Sequence, residues 1–405
     1  MATIFVNGAN SKIGGGRSIL TNFLKLLKNH KTNHKFIVMT PDLDGFREFA
    51  CDHIELLPPS LMARRGLCVP IWNQLILPRL LHKLKVDVLF NLADMVVPSA
   101  VPQVYLFDWP YAVYPDADIW ERMPRRERVY RSVKLLFFKK YLRFSKYVIA
   151  QTETMRRRLT SLYGISDVSL VGNAVSLDHY ESNPALFDLP SAKYKLLYLT
   201  RYYPHKNIEV FLSLAELIRA RNLPFVLVTT LERSESSGAA AFLLEVERRK
   251  LCSIIVNLGA ITMDKVPSLF AGCDGLLMPT LMESFSGTYV EAMFHKKVIF
   301  TSDLDFARDV CRDAAVYFDP MSAEDILERI VSTFESSDLM KEKANLGAKR
   351  LEEMPSWPQV FAAYMQMIEK AVALGFTGKA CQESLEDKIC DSDAKKPLST
   401  SGVKI

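Results

Sequence analysis

The sequence predicts an α/β protein with two doubly wound domains, each built on a parallel sheet. Short runs of β-branched residues alternate with amphipathic helical stretches from end to end, as expected when helices cover both faces of parallel strands. The alternation stops near the middle of the chain and then restarts, and 405 residues suffice for two domains. Because 49% of the residues are hydrophobic and 24% are charged, a sizeable core can be buried.

Six strands are predicted in each half, from apolar runs bounded by turn residues. Those of the first half are Thr3–Gly8, Lys35–Thr40, Val86–Asn91, Gln103–Asp108, Tyr147–Thr152 and Ser169–Asn173. Those of the second half are Lys195–Thr200, Pro224–Thr230, Ser253–Leu258, Gly275–Pro279, Val298–Ser302 and Ala315–Asp319. Ligands of open α/β sheets bind at the carboxyl ends of the strands. Two such domains facing one another therefore place the functional site in the cleft between them.

The boundaries between these units follow from composition. The stretch Asp178–Lys193 contains two prolines and no clear period, so we predict that it links the domains. An apolar helix is predicted over Trp357–Ala373, and the final stretch, rich in Lys, Asp, Ser and Glu, is predicted to be disordered. We predict a first domain over residues 1–180 and a second over 181–354. A last helical segment follows at 355–376, and the tail is 377–405.

Charge and cysteine content narrow the function classes. A net charge of +5 is too small to argue for nucleic acid as a partner. The seven cysteines are scattered without a Cys-x-x-Cys pair, which favours reduced thiols in a cytosolic protein. The start of the chain lacks the basic leader of a signal peptide, and no apolar run reaches the length of a membrane span. We therefore expect a cytoplasmic location. No metal is assigned to the Asp-x-Asp triplets Asp116–Asp118, Asp303–Asp305 and Asp391–Asp393.

The segment between Glu283 and Glu291 gives the strongest functional signal. The apolar run Gly275–Pro279 precedes it as a short buried strand, and the small residues Ser286–Thr288 open a helix at the end of that strand. A helix start presents unpaired N–H groups and the positive end of the helix dipole, which suit a phosphate. Carboxylates on both sides of a phosphate site suit a nucleotide-sugar. The alternative is two solvated glutamates on a surface helix, and the preceding strand and the small residues favour the functional interpretation.

Arg201 and Lys206 follow the first strand of the second domain. A planar guanidinium and an ammonium at a strand end can neutralise a diphosphate. In sugar transfer from a nucleotide-sugar the leaving diphosphate gains charge, and fixed cations lower that barrier without a metal. The alternative is two solvated basic residues in a loop. His205 beside them is expected to be a loop residue rather than a ligand.

Two features of the first domain are predicted to face the same cleft. The loop Asn7–Ser18 joins the first strand to the first helix, and its glycines, Gly15 and Gly16 among them, let the backbone approach a ligand closely. A flexible turn is the alternative. Asp108 ends a buried strand and is followed by Trp109, whose ring can stack on a sugar. Here the alternative is a capping carboxylate with Trp109 in the core.

The stretch Arg122–Lys146 contains ten lysines and arginines against one acid, Glu127. A basic amphipathic helix can lie on an anionic membrane, and many sugar acceptors are lipid-linked. The alternative is a helix whose aromatic face packs in the core while its charges stay in water. Contact with the inner face of a membrane therefore stands as one of two interpretations.

Together these motifs resemble the family 4 retaining glycosyltransferases, which have the GT-B fold. Thr200–Asn207 is similar to the family's Gly-Arg…Lys-Gly phosphate element, and Val171–Val175 to its Pro-Asn-Gly-Val segment. Asn257–Gly259 resembles the Phe-Leu-Gly strand end that meets the base. Met278–Met293 matches the pattern Pro-Ser…Glu-Gly-Phe-Gly…Glu-Ala. The similarity covers most of Gly14–Asp319 and is strongest in the second half.

The resemblance implies two Rossmann-like domains facing a central cleft, with the last helix crossing back onto the first domain. It implies transfer of a sugar with retention, from a nucleoside-diphosphate-sugar to a glycan or lipid-linked acceptor, without a metal or other cofactor. The candidate catalytic residues are Glu283 at the donor sugar, Arg201 and Lys206 at the diphosphate, and Asp108. The candidate donor-binding residues are Glu291 at the ribose, Phe285, Ser286, Gly287, Thr288, Gly15, Gly16, Gly259 and Asn173.

The sequence departs from the family's pattern at several positions. Phe107 precedes Asp108 where the family has a histidine that lies near the transferred sugar. Thr200 replaces the glycine of Gly-Arg, and Gly287–Tyr289 replaces Gly-Leu-Pro, which bears on donor preference. Because of the missing histidine, a nucleotide-sugar-binding protein without transfer activity remains an alternative. A GT-B nucleotide-sugar epimerase is another.

Overall fold

The computed structural model describes residues 1–64, 68–115, 117–177 and 187–374, which form two parallel sheets with packed helices. The strands of the first sheet are β1 Thr3–Asn7, β2 Lys35–Met39, β3 Ile54–Leu57, β4 Val88–Asn91, β5 Gln103–Leu106, β6 Tyr147–Ala150 and β7 Val168–Leu170. Those of the second sheet are β8 Tyr194–Tyr198, β9 Phe225–Thr229, β10 Ile255–Asn257, β11 Gly275–Met278, β12 Val298–Ser302 and β13 Ala315–Phe318. The predicted class, two doubly wound α/β domains, is confirmed.

The strand orders show where each sheet can hold a ligand. The first sheet runs β3-β2-β1-β4-β5-β6-β7 and the second β10-β9-β8-β11-β12-β13. In each sheet the first strands, from β1 or from β8, are added on one side, and the later strands are added on the other side of β1 or β8. At this reversal of strand order a crevice opens at the carboxyl ends of the strands. The edge strand β3 is the one strand of the described residues that the sequence did not predict.

Helices follow most of the strands. They are α1 Gly14–Lys28, α2 Leu61–Arg64, α3 Val69–Ile71, α4 Leu77–Lys83, α5 Ile119–Arg122, α6 Arg125–Tyr141, α7 Glu153–Tyr163, α8 Val210–Ala220, α9 Ser237–Arg248, α10 Val266–Gly272, α11 Gly287–Phe294, α12 Asp305–Cys311, α13 Ala323–Phe334, α14 Ser337–Glu352 and α15, residues 357–374. Local chemistry sets several ends. The Thr152 hydroxyl accepts a hydrogen bond from the Met155 N–H at the start of α7, and Gly164 ends that helix with a φ of +65°.

The last helix, α15, packs on the first domain. Its Phe361 ring lies 5.5 Å from the ring of Phe23 on α1, and its Tyr364 ring lies 5.4 Å from that of Phe90 on β4. Buried aromatic contacts of this size stabilise the docking of a helix substantially. The predicted crossing of the last helix back to the first domain is therefore confirmed.

Helix α7 of the first domain contacts α12 of the second at one end of the cleft. The Arg158 Nε donates to Asp305 Oδ2 at 2.8 Å, and the Tyr114 hydroxyl donates to Asp305 Oδ1 at 2.7 Å. The Thr154 N–H donates to Asp309 at 2.6 Å. Asp305, the last residue of the triplet Asp303–Asp305, thus accepts hydrogen bonds from two residues of the first domain.

Some predictions fall beyond the described part of the chain. The linker Asp178–Lys193 lies partly outside it, because residues 178–186 are not described, and the tail at 377–405 lies wholly outside it. Within the described ranges, no helix combines the length and the apolar character needed to span a bilayer.

Candidate active site

The segment around Glu283 has the predicted strand–turn–helix form. Strand β11 ends at Met278, and α11 begins at Gly287 after Ser286 at the cap position. The Ser286 side chain makes no capping hydrogen bond, but its carbonyl accepts a hydrogen bond from the Tyr289 N–H at 3.3 Å. The N–H groups of Gly287 and Thr288 have no hydrogen-bond partner among the described residues. The start of α11 therefore has the free donors and the dipole that an anion requires.

Lys206 and Glu283 form an ion pair across two neighbouring strand ends. Lys206 closes the 3-10 turn Pro204–Lys206 that follows β8, and its ammonium donates to Glu283 Oε1. The Thr280 hydroxyl lies 3.2 Å from the same carboxylate oxygen. The Tyr198 hydroxyl donates to the Lys206 carbonyl at 2.8 Å. Two of the predicted catalytic residues are thus in direct contact, just before the start of α11.

Asn207 fixes the turn that presents Lys206. Its backbone is left-handed, with a φ of +52°. Its Nδ2 donates to the carbonyl groups of Pro279 at 3.2 Å and Pro320 at 2.7 Å. After glycine, asparagine is among the residues that adopt this conformation at least cost. Asn207 therefore provides the turn geometry of the glycine in the Lys-Gly pattern and adds two hydrogen bonds.

Arg201 lies at the end of β8 with its side chain half-exposed. Its guanidinium is 3.9 Å from Glu235 Oε2, while Glu235 Oε1 accepts a hydrogen bond from the Tyr202 N–H at 2.6 Å. Because the Arg201 side chain is 47% exposed and 3.9 Å is too long for a hydrogen bond, this ion pair contributes little stability. The guanidinium can therefore reorient toward a ligand at small cost.

Glu291 is buried inside α11 and only 6% exposed. Loss of solvent raises the pKa of its carboxyl to about 7, and no charged or hydrogen-bonding group of the described residues opposes that shift. A buried carboxylate without a partner is costly in free energy. Hydroxyl groups of a ligand would supply the missing donors.

The start of α11 also touches the first domain. A Cβ added to Gly287 would lie 3.3 Å from Cγ2 of Val175, so the backbone there packs closely. Asn173, two residues before Val175, is buried, and its Oδ1 accepts a hydrogen bond from the Ala174 N–H at 3.0 Å. The segments that carry Gly287 and Asn173, two predicted donor-binding residues, therefore meet at the cleft.

Asp108 reaches across the cleft from the first domain. The Ser284 hydroxyl, at a position where the family pattern has glycine, donates to Asp108 Oδ1. Burial raises the pKa of Asp108 to about 7; the bond from Ser284 lowers it, and the charges of Asp94 and Glu283 raise it further. Asp108 is thus hydrogen-bonded to the residue next to Glu283.

Phe107, at the position of the expected histidine, turns away from the cleft. It is fully buried, and its ring lies 5.8 Å from that of Phe138 on α6 and 6.4 Å from that of Tyr105. The side chain belongs to the hydrophobic core, so the first domain presents Asp108 but no histidine at this strand end.

The predicted glycine loop is shorter than expected. Gly15 and Gly16 belong to the first turn of α1, which starts at Gly14, because the buried residues Ile19 and Phe23 extend the helix in this direction. They still follow the carboxyl end of β1, on the same edge of the sheet as Asp108. Gly259, with a φ of +75°, lies just after β10 at the corresponding edge of the second sheet.

The sequence also did not predict the contact of His205 with the first domain. His205 lies in the same turn as Lys206 and is buried, and its Nδ1 is 2.8 Å from the hydroxyl of Tyr111 in the first domain. No pattern within the chain could pair residues 94 positions apart. The only available signal was the position of His205 directly before Lys206.

Two family models match the chain. Residues 181–350 match the model described as glycosyl transferases group 1, and residues 13–179 match the model described as glycosyltransferase family 4. Together the two ranges take in most of the chain and nearly every strand of both sheets. The chain belongs to the family 4 glycosyltransferases. A comparison by sequence with curated proteins finds no match.

Solved structures share the fold of this glycosyltransferase at low identity. Sucrose-phosphate synthase from Thermosynechococcus elongatus aligns with a TM-score of 0.71 and 12% identity, covering 92% of this chain and 100% of that one. Anabaena HepE in complex with UDP-glucose aligns with a TM-score of 0.67 and 14% identity, and the alignment covers 91% of this chain and 100% of that one. WaaG, a glycosyltransferase involved in lipopolysaccharide biosynthesis, aligns with a TM-score of 0.66 and 16% identity, and the alignment covers 89% of this chain and 98% of that one. These likenesses confirm the two-domain GT-B fold.

Proposed function

We propose that this glycosyltransferase moves a sugar from a nucleoside-diphosphate-sugar to a glycan or lipid-linked acceptor, with retention of configuration and without a metal. The observation that carries the proposal is the Lys206–Glu283 pair, held by two strand ends directly before the start of α11. A cation, a carboxylate and the N–H groups at a helix start suit a diphosphate that carries a sugar. The UDP-glucose complex of the similarly folded HepE supports a donor of this class.

Three groups of residues bind different parts of the donor. Lys206 and Arg201 neutralise the diphosphate, with the N–H groups of Phe285–Thr288 around it. The Glu291 carboxylate, which has no partner in the described part of the chain, accepts hydrogen bonds from the ribose hydroxyls, and Glu283 holds the sugar. Positive charge at the diphosphate therefore comes from the chain itself, which is the reason for proposing a reaction without a metal.

Retention follows if the acceptor attacks from the side of the leaving group. The acceptor oxygen bonds to the anomeric carbon while the bond from that carbon to the phosphate oxygen breaks. The departing phosphate oxygen takes the proton of the acceptor hydroxyl. Glu283 is engaged with Lys206, so it positions the sugar instead of forming a covalent intermediate with it.

The proposal is tested by donor turnover in the presence of EDTA. We expect the enzyme to release nucleoside diphosphate from one member of a panel of UDP-, GDP- and ADP-hexoses, with water as a slow acceptor. From an α-linked donor, proton NMR of the first-formed sugar should show the α anomer. Glu283→Gln and Arg201→Ala should each slow the release. A β product, or activity lost with EDTA and restored by Mg²⁺, contradicts the proposed mechanism, and binding without turnover favours the non-catalytic alternative.

We place the acceptor at an anionic membrane surface, on the basis of helix α6. Phe138 packs in the core, as the alternative interpretation predicted, yet Val129, Val133 and Leu136 are 62%, 41% and 67% exposed. Their spacing puts these three side chains on one face of the helix. Exposed basic residues flank this apolar face at Arg125, Arg126, Lys139 and Lys140. An apolar stripe edged by cations suits the interface of an anionic bilayer.

Vesicle flotation tests this membrane contact. Reversal of four charges in Arg125→Glu, Arg126→Glu, Lys139→Glu and Lys140→Glu should abolish flotation with phosphatidylserine-containing vesicles, because each cation contributes about 1 kcal/mol near such a surface. The matched control reverses four exposed lysines of the second domain, Lys265, Lys296, Lys341 and Lys349, and should still float. Equal flotation of both variants, or of neither, rules out a specific role for α6.

A further inference from the structure

A hydrogen bond between the domains lies directly beside the lysine assigned to the diphosphate. Tyr111 lies in the 3-10 turn Pro110–Ala112 of the first domain, and its hydroxyl is 2.8 Å from Nδ1 of His205 in the second. The two rings meet edge to face at 5.3 Å. Both side chains are buried, so this contact is shielded from water.

We propose that Tyr111 and His205 are positioning residues that set Lys206 on the leaving diphosphate when the two domains are closed. The inference rests on the proposed function, in which Lys206 holds that diphosphate. It adds a link by which the first domain acts on a residue of the donor site without touching the donor.

The turn that carries His205 is tied to both members of the ion pair. The His205 carbonyl accepts a hydrogen bond from the Leu281 N–H at 2.8 Å and lies 3.1 Å from the Thr280 hydroxyl. That hydroxyl is also 3.2 Å from the Glu283 carboxylate, and the next residue along the chain is Lys206. A shift of His205 therefore moves the Lys206 backbone and disturbs the segment that holds Glu283.

On the other side, Tyr111 is fixed within the first domain. The guanidinium of Arg131 on α6 lies 3.9 Å from the centre of its ring, and the ring of Trp120 meets it edge to face at 5.8 Å. A cation over a desolvated aromatic ring and an aromatic edge contact both restrict ring motion. The hydroxyl of Tyr111 is thus a fixed point to which the His205 turn is bound.

The protonation of His205 is consistent with this role. Burial lowers the pKa of the imidazole well below its ordinary value, and the positive charges of Lys206 and Arg131 lower it further. The neutral ring keeps one nitrogen as an acceptor and adds no charge that would repel Lys206. The hydrogen bond to Tyr111 therefore persists through the neutral pH range.

The structure offers a closely matched control in Tyr114. Its hydroxyl also crosses between the domains, to Asp305 at 2.7 Å, and the guanidinium of Arg158 lies 3.9 Å from its ring centre. Asp305 belongs to α12 and not to the turn that carries Lys206. Tyr111→Phe and Tyr114→Phe each remove one interdomain hydrogen bond and keep the ring, so a general loosening of the domains would affect both alike.

The test measures nucleotide affinity by isothermal titration calorimetry. The probes are the nucleoside diphosphate that the wild type binds most tightly among UDP, GDP and ADP, and its monophosphate. We expect Tyr111→Phe to raise the Kd of the diphosphate about 3- to 10-fold, as for loss of one hydrogen bond, with little change for the monophosphate. Tyr114→Phe should change neither Kd by more than about 2-fold.

The outcomes separate this inference from the proposed function. An unchanged preference for diphosphate over monophosphate in Tyr111→Phe, or an equal change in Tyr114→Phe, overturns the positioning role. Absence of nucleotide binding by the wild type contradicts the proposed function instead. The melting temperatures of the two variants, expected to be similar, show whether each is folded.

Discussion

Replacement of Lys206 by methionine is expected to lower kcat/KM for the donor about 100- to 1,000-fold, the usual effect of removing one group that stabilises developing charge. The loss should appear mainly in kcat, because the diphosphate is most negative as it leaves. The variant should also be less stable by about 3 kcal/mol, since it leaves the buried Glu283 carboxylate without its cation. Steady-state kinetics and the shift in melting temperature measure the two effects.

A second variant separates the two effects of Lys206. The double variant Lys206→Met, Glu283→Gln has no charge at either position. Most of the stability lost in Lys206→Met should therefore return, while activity stays low. Recovery of activity together with stability would show that Lys206 is only structural. Arg249→Met serves as a surface control, because its ion pairs to Glu216 and Glu245 lie away from the cleft.

The second large effect is expected at Glu291, where stability and function should change in opposite directions. Glu291→Gln removes the negative charge and replaces one of the two acceptor oxygens proposed for the ribose with an NH2 donor, so donor affinity should fall about 10- to 100-fold, as for hydrogen bonds to a charged group. The same change removes a buried carboxylate that has no partner among the described residues. At pH 8 the ligand-free variant should therefore be more stable than the wild type, by at most about 3 kcal/mol.

The sign of this pH dependence follows from the raised pKa of Glu291, about 7 in the folded chain. The contribution of Glu291 to stability is fully present below the pKa of the unfolded chain, near 4.3, and is lost as the pH rises through about 7. Glutamine does not titrate. The stability difference between Glu291→Gln and the wild type should therefore be small at pH 4.5 and larger at pH 8. A difference independent of pH contradicts the burial of a free carboxylate at this site.

Much of the second-domain site could be predicted because its signals are local. The run Gly275–Pro279 is apolar and ends at proline, and the small residues Ser286–Thr288 suit a helix start. The apolar residues after them, Tyr289, Val290, Met293 and Phe294, have helical spacing. The structure begins α11 at Gly287 for the same reasons. The placement of Lys206 beside Glu283 follows once their strands are neighbours in the sheet.

Other features were not predictable because they depend on tertiary contacts. Strand β3 has four residues at the edge of its sheet and only one fully buried side chain, so its pattern is weak. Gly14–Gly16 each disfavour helix by about 1 kcal/mol, yet the apolar face of α1 packs well enough to include them. The pairs of Ser284 with Asp108 and Tyr111 with His205 exist only because the two domains meet.

The central claim is that the cleft around Lys206, Glu283 and Glu291 binds the diphosphate of a nucleotide-sugar. Calorimetric titration of the wild type and of Lys206→Met, Glu283→Gln with UDP, GDP and ADP in EDTA tests it most directly. We predict that one nucleotide binds the wild type without a metal and binds the double variant at least 10-fold more weakly. Equal affinity of the two proteins for that nucleotide, or no binding by the wild type, would contradict the claim.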